Sequence, residues 1–139
     1  MRAISHLAAK REFTFLKDKE EISASVVLVD GELSRKLNKR FRAKDRATNV
    51  LSFPVFDSLQ SIKKAKQASL ELGDVVIAPA IVRREARAAG RPFYAQFCWM
   101  LAHGILHILG FDHERTRGER RIMEKLESDL LSNLAIGAK

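Results

Sequence analysis

The segment FYAQFCWMLAHGILHIL, 93–109, restricts the fold more than any other part of the chain, because it is almost wholly apolar and lies between Pro92 and Gly110. Proline suits the first turn of a helix and glycine its end, so this stretch is expected to be a buried helix around which the rest packs. Its most apolar window, FCWMLAHGILHILGF, is shorter than the roughly 20 residues needed to span a bilayer and carries two histidines. A transmembrane role is therefore excluded.

Three of the four histidines fall within HGILHILGFDH, 103–113. At about 100° per residue, His103 and His107 lie about 40° apart around the helix and one turn apart along it, so both imidazoles face one ion. Gly110 breaks the helix, and His113 follows on a chain able to fold back. Three neutral imidazoles leave a fourth position for water, the arrangement of an open, catalytic zinc site. The absence of thiolates favours zinc over copper(I) and leaves nickel and manganese open. Cys98, about 140° around the helix from His103, reads as a buried apolar side chain. Trp99 and Met100 read as core, and the isolated His6 as an ordinary structural histidine.

At 139 residues the chain has the size of one domain, 1–139, able to bury a core without staples. The lone Cys98 allows no internal disulfide, and the N-terminus has no apolar run of signal-peptide length, so a cytoplasmic protein is expected. With 25 Lys and Arg against 17 Asp and Glu, the net charge of +8 favours a polyanionic partner.

Three strands stand out: ISASVVLV at 22–29, read as buried, TNVLSFPV at 48–55, and ELGDVVIA at 71–78. EFTF at 12–15 is a fourth. Asp30 is the expected N-cap of an amphipathic helix through GELSRKLNKRF. DSLQSIKKAKQAS, 57–69, reads as a long surface loop. Helices are expected over AIVRREARAA, with Pro79 in the first turn, and over GERRIMEKLESDLLSNL, where Ile122, Leu126 and Leu130 share a face. The class is α/β or α+β: one small mixed sheet of about four strands packed with helices, with the metal site on a helix of the C-terminal half.

The histidine and glycine spacing matches the H-E-x-x-H-x-x-G-x-x-H run of metzincin proteases. Those enzymes need a glutamate after the first histidine as general base, and here that position is Gly104. A peptidase is thereby disfavoured.

HGILHILGFDH, preceded by FRAKDRATNVLSFP and LGDVVIA, resembles the YbeY family of bacterial endoribonucleases of ribosomal RNA maturation. The match runs from SVVLVD to the final helix. It implies a single α/β domain, one zinc ion held by His103, His107 and His113, and a functional arginine before TNVLSFP, which corresponds to Arg42. It further implies single-strand cleavage in ribosomal RNA processing, at the 3′ end of the small-subunit RNA, and a part in ribosome quality control. RNA and the small ribosomal subunit are the partners expected, and neither DNA nor a membrane is.

The residues agree with that direction. RKLNKRFRAKDR, 35–46, is the densest basic run, and Phe41 within it offers a stacking ring. Arg42 suits a phosphate clamp, with Lys44 and Arg46 beside it as RNA contacts. Cleavage is expected to depend on Arg42 and His107. Arginines 83, 84, 87 and 91 read as a solvated helix face. Asp112 is a candidate to orient an imidazole through its second nitrogen or, second to that, to accept a proton; Asp74 either faces the same cleft as a supporting carboxylate or caps a turn, and Glu114 is a weaker candidate for proton transfer. A ribosome- or RNA-associated protein with a structural zinc and no nuclease activity is the alternative.

Overall fold

The computed structural model describes residues 16–111 and 116–137. EFTF, His6, Asp112, His113 and Glu114 lie outside the described residues.

Three strands form the sheet: β1 (Glu21–Leu28), β2 (Val50–Pro54) and β3 (Ser69–Ile77), in the order β1-β3-β2. β1 runs parallel to β3 and β2 antiparallel to it, so the sheet is mixed, as expected, with three strands among the described residues instead of about four. β3 is central, and Leu70, Leu72, Val75 and Ile77 on it are buried. β1 was expected to be buried, yet Val26, Val27 and Leu28 are exposed. Its β-branched run does form a strand, but β1 pairs only with β3, so its other edge is left uncovered within the described structure.

Between β1 and β2 lies α1 (Gly31–Arg42). Asp30 caps it as expected, accepting from the Leu33 N–H at 2.8 Å. Two polar residues of α1 are buried because they hold the following loop. Ser34 Oγ donates to the Thr48 carbonyl at 2.7 Å and accepts from the Thr48 N–H at 2.9 Å, while Asn38 Nδ2 donates to the Arg46 carbonyl. The basic loop is thus folded back onto α1, which fixes where β2 begins.

The segment 57–69 is not a plain surface loop. It contains α2 (Leu59–Lys64), capped by Ser58, whose hydroxyl accepts from the Ser61 N–H at 3.1 Å. Lys19 ties down its end by donating to the Ala65 and Gln67 carbonyls at 2.7 and 2.8 Å. Its one fully buried residue, Ile62, is 0 % exposed, and Leu59 one turn before it packs partly against the core. Two inward apolar positions in a six-residue helix set in a polar stretch are too short a pattern to mark it, which is why the sequence conceals the helix.

The remaining helices are α3 (Pro79–Ala88), α4 (Phe93–Ile108) and α5 (Arg117–Gly137). α4 is the expected central helix, with Met100, Ala102, Gly104, Ile105, Leu106 and Ile108 buried. Along α5 the buried side chains are Met123, Leu126, Glu127 and Leu130, and Ile122 is exposed, so the apolar face is rotated from the one expected.

Side chains alternate across the sheet. A β-carbon at Gly104 would lie 2.5 Å from Val75 Cγ1 and 3.3 Å from Val50 Cγ2, so Val50 and Val75 point towards α4. Phe53, paired with Asp74, points the other way and meets the Phe41 ring of α1 edge-on, with centroids 5.2 Å apart. α4 therefore covers one face of the sheet, and α1 touches the other through Phe41.

Two measurements test this packing. Ile62→Ala should lower unfolding free energy by about 2–5 kcal/mol, whereas a surface loop would show almost no change in denaturant titration. Gly104→Ala should destabilise in thermal unfolding, because overpacking at Val75 costs about 1–3 kcal/mol and alanine returns only about 1 kcal/mol of helix propensity.

Candidate metal centre

α4 ends in a Schellman turn that places its last residues at the rim of the sheet. The Gly110 N–H donates to the His107 carbonyl at 3.0 Å and the Phe111 N–H to the Leu106 carbonyl at 3.1 Å. Gly110 takes φ +98°, and its α-carbon faces the backbone of Ser58 and Leu59, where a β-carbon would come within 2.7 Å of the Leu59 nitrogen. Only glycine meets both demands.

On the last two turns of α4, His103 and His107 stand together as the spacing predicts. Their rings meet edge-on with centroids 4.4 Å apart, and their Nε2 atoms are 2.9 Å apart. Nitrogens of two imidazoles bound to one tetrahedral zinc would be about 3.3 Å apart, so a small opening of this pair accommodates the ion. The negative end of the α4 dipole also favours a cation here. No cluster of three potential ligands occurs among the described residues.

The other nitrogen of His103 is engaged. Nδ1 lies 2.7 Å from Glu127 Oε1 on α5, and Trp99 Nε1 donates to Glu127 Oε2 at 3.3 Å. With Nδ1–H directed at a carboxylate, the Nε2 lone pair of His103 points towards His107.

An open cleft of about 250 Å³ leads to the histidines, lined by Arg42, Val50, Leu51, Ser52, Pro54, His103 and His107. Arg42 is the last residue of α1, and the chain turns away at once because Ala43 adopts a left-handed conformation, φ 57°. The Arg42 guanidinium donates through Nη2 to the Ser52 carbonyl at 2.7 Å and through Nη1 to the Phe41 carbonyl at 3.3 Å, and its Cζ sits 5.6 Å from the Phe53 ring. Of its five N–H donors, two hold it to the protein and three are directed elsewhere. Ser52 Oγ donates to the Gly104 carbonyl at 3.1 Å, which locks the strand carrying the arginine's anchor to the helix carrying the histidines.

The other expected contacts are distributed differently. Lys44 and Arg46 are exposed and do not line the cleft. Arg35 Nε donates to Asp45 at 2.7 Å, and Lys39 Nζ lies 3.8 Å from the same carboxylate, so part of the basic run is neutralised locally. The hydrogen bond from Arg35 holds the Asp45 carboxyl below its ordinary range. Asp74 half-faces solvent on the side of the sheet that Phe53 shares, opposite α4, where strand alternation puts it, and so lies away from His103 and His107. Cys98 is half-buried, and burial pushes its thiol pKa up. Trp99 is not plain core, since its indole N–H serves Glu127. Glu127 and Ser52 were not foreseen. The available signal for Glu127 was its place inside the Met123, Leu126, Leu130 stripe, where a charge is out of pattern.

Gly104, where metzincins carry their glutamate, faces Val75 and Val50 of the sheet. A side chain at that position would have to displace Val75 and would point at the sheet, so the missing protease base agrees with the packing as well as with the residue's identity.

A family model described as endoribonuclease YbeY matches residues 2–135. Relatives bearing that name include proteins from Persephonella marina, 35% identical over 83% of this chain and 72% of theirs, and Stenotrophomonas maltophilia, 40% identical over 84% and 70%. A third, from Sinorhizobium medicae, is 37% identical over 94% of this chain and 77% of its own length. The solution structure of a Thermotoga maritima protein superposes with a TM-score of 0.55 and 25% identity, covering 98% of this chain and 86% of that one. The resemblance carried by the histidine run and TNVLSFP thus extends over nearly the whole sequence, and the chain belongs to the endoribonuclease YbeY family.

Proposed function

We propose that this protein is a zinc-dependent, single-strand-specific endoribonuclease of ribosomal RNA maturation. Its expected substrate is the 3′ end of the small-subunit RNA, with a further part in ribosome quality control. The observation that carries the proposal is the shared cleft: an anchored arginine stands opposite two histidines whose Nε2 atoms converge. His103 and His107, with His113 as the third ligand, would hold one ion. When bound, the ion supplies Lewis acidity to a phosphoryl oxygen and lowers the pKa of a bound water.

The chain's own residues do the rest. Arg42 presents its outward N–H groups to a phosphate and stabilises the charge that grows on it, without first having to be ordered, because Ser52 and Phe41 already hold it. Ser52 and Gly104 keep that clamp at a constant distance from the histidines. At about 250 Å³ the cleft is smaller than a pocket of roughly 300–1,000 Å³ that encloses a small ligand. An open groove suits a strand laid across it, and an unpaired strand can bring its backbone close to the arginine. We place this activity in the cytoplasm, where the single Cys98 needs no partner.

A non-catalytic role with a structural zinc predicts that metal removal unfolds the protein. The hydrophobic core is formed without either histidine, so chelation should abolish cleavage of a 3′-extended small-subunit RNA while the protein stays folded at about 25 °C by circular dichroism, with a melting temperature lowered only by the lost binding free energy. Chelator-resistant cutting by pure protein would refute the proposal. His107→Ala should likewise abolish cutting with the fold retained by circular dichroism. Arg42→Ala should lower turnover about 10²- to 10³-fold with zinc content unchanged; parallel loss of both would make Arg42 structural.

A further inference from the structure

Among the described residues Glu127 is the one buried ionisable side chain, at 6 % exposure. Burying a carboxylate is costly unless its oxygens are hydrogen-bonded, and an apolar side chain of similar volume would usually stabilise the fold as well or better. The site shows how the cost is offset. Oε1 faces His103 Nδ1 at 2.7 Å, and Oε2 receives the Trp99 indole N–H at 3.3 Å. Trp99 is in turn steadied by Arg91, whose Cζ lies 4.9 Å from the ring centroid.

We infer that Glu127 is the positioning residue of the metal centre: it selects the tautomer of His103 that has a proton on Nδ1 and an unprotonated Nε2 aimed at the ion. Trp99 fixes the carboxylate's own rotation. The inference rests on the proposal that His103 and His107 hold the metal. It assigns the orienting of His103 to a carboxylate on a helix that reaches the site only through the tertiary fold.

The geometry makes the substitution Glu127→Gln informative. An amide oxygen can accept from His103 or from Trp99, and the amide NH₂ then confronts the other donor. The side chain's volume is unchanged while one of the two contacts is lost. Zinc affinity, measured by competition with a chromophoric chelator, should fall about 10- to 100-fold, with the far-ultraviolet circular dichroism of wild type. Trp99→Phe keeps an aromatic ring and removes one donor, so it should weaken zinc in the same direction and by less. In ¹⁵N spectra the Nδ1–H signal of His103, protected in the wild type, should broaden in both variants. Excess zinc should restore RNA cleavage by Glu127→Gln but not by Arg42→Ala.

Zinc binding within twofold of wild type by Glu127→Gln would overturn the inference. If that variant does not fold, Trp99→Phe decides, and wild-type affinity there would overturn it equally. The chelator competition does not depend on nuclease activity. A wild-type protein that binds zinc but leaves RNA uncut refutes the nuclease proposal alone, and one that binds no zinc refutes both.

Discussion

The contact of Gly104 with Val75 sets the position of the site. With no side chain at 104, α4 can lie directly on β3 and β2, and the Ser52 hydroxyl can reach the Gly104 carbonyl. Side chains one position away on a helix point about 100° around it. Pressing residue 104 against the sheet therefore turns residues 103 and 107 towards the edge formed by β2. A bulkier residue would lift the helix and carry both imidazoles away from Arg42. The close approach of helix to sheet and the placing of the histidine pair opposite Arg42 are one constraint.

Around that contact, polar side chains are used to hold backbone and neighbours in place. Ser34 and Asn38 fasten the loop that follows α1, the Ser52 and Phe41 carbonyls hold the Arg42 guanidinium, and Glu127 holds His103. The basic run illustrates the same economy. Of its cations, Arg35 and Lys39 sit with Asp45, while Arg42 reaches the cleft. Charge density attracts a polyanion broadly, and among these cations the anchored Arg42 guanidinium is the one that lines the cleft beside the histidines.

Much of the fold was legible because it depends on local pattern. The Asp30 cap, the central helix between Pro92 and Gly110, and the three strands all follow from residue type and spacing. What escaped depends on neighbours. The β1 run has the composition of an interior strand but occupies an edge, α2 hides behind a single buried isoleucine, and the buried face of α5 includes Met123 where Ile122 was expected.

For the site, the sequence by itself determined the pairing of His103 with His107, since four residues of helix bring two imidazoles onto one face whatever surrounds them. It also excluded the metzincin base through Gly104. Only the tertiary structure decided which groups meet those histidines. Arg42 lies far from them along the chain and arrives through the pairing of β2 with β3, and strand alternation sends Asp74 to the opposite face. Glu127 arrives from α5, whose rotation about its own axis is fixed by packing. A pattern in one segment specifies what that segment can present, and contact between distant segments specifies to what it is presented.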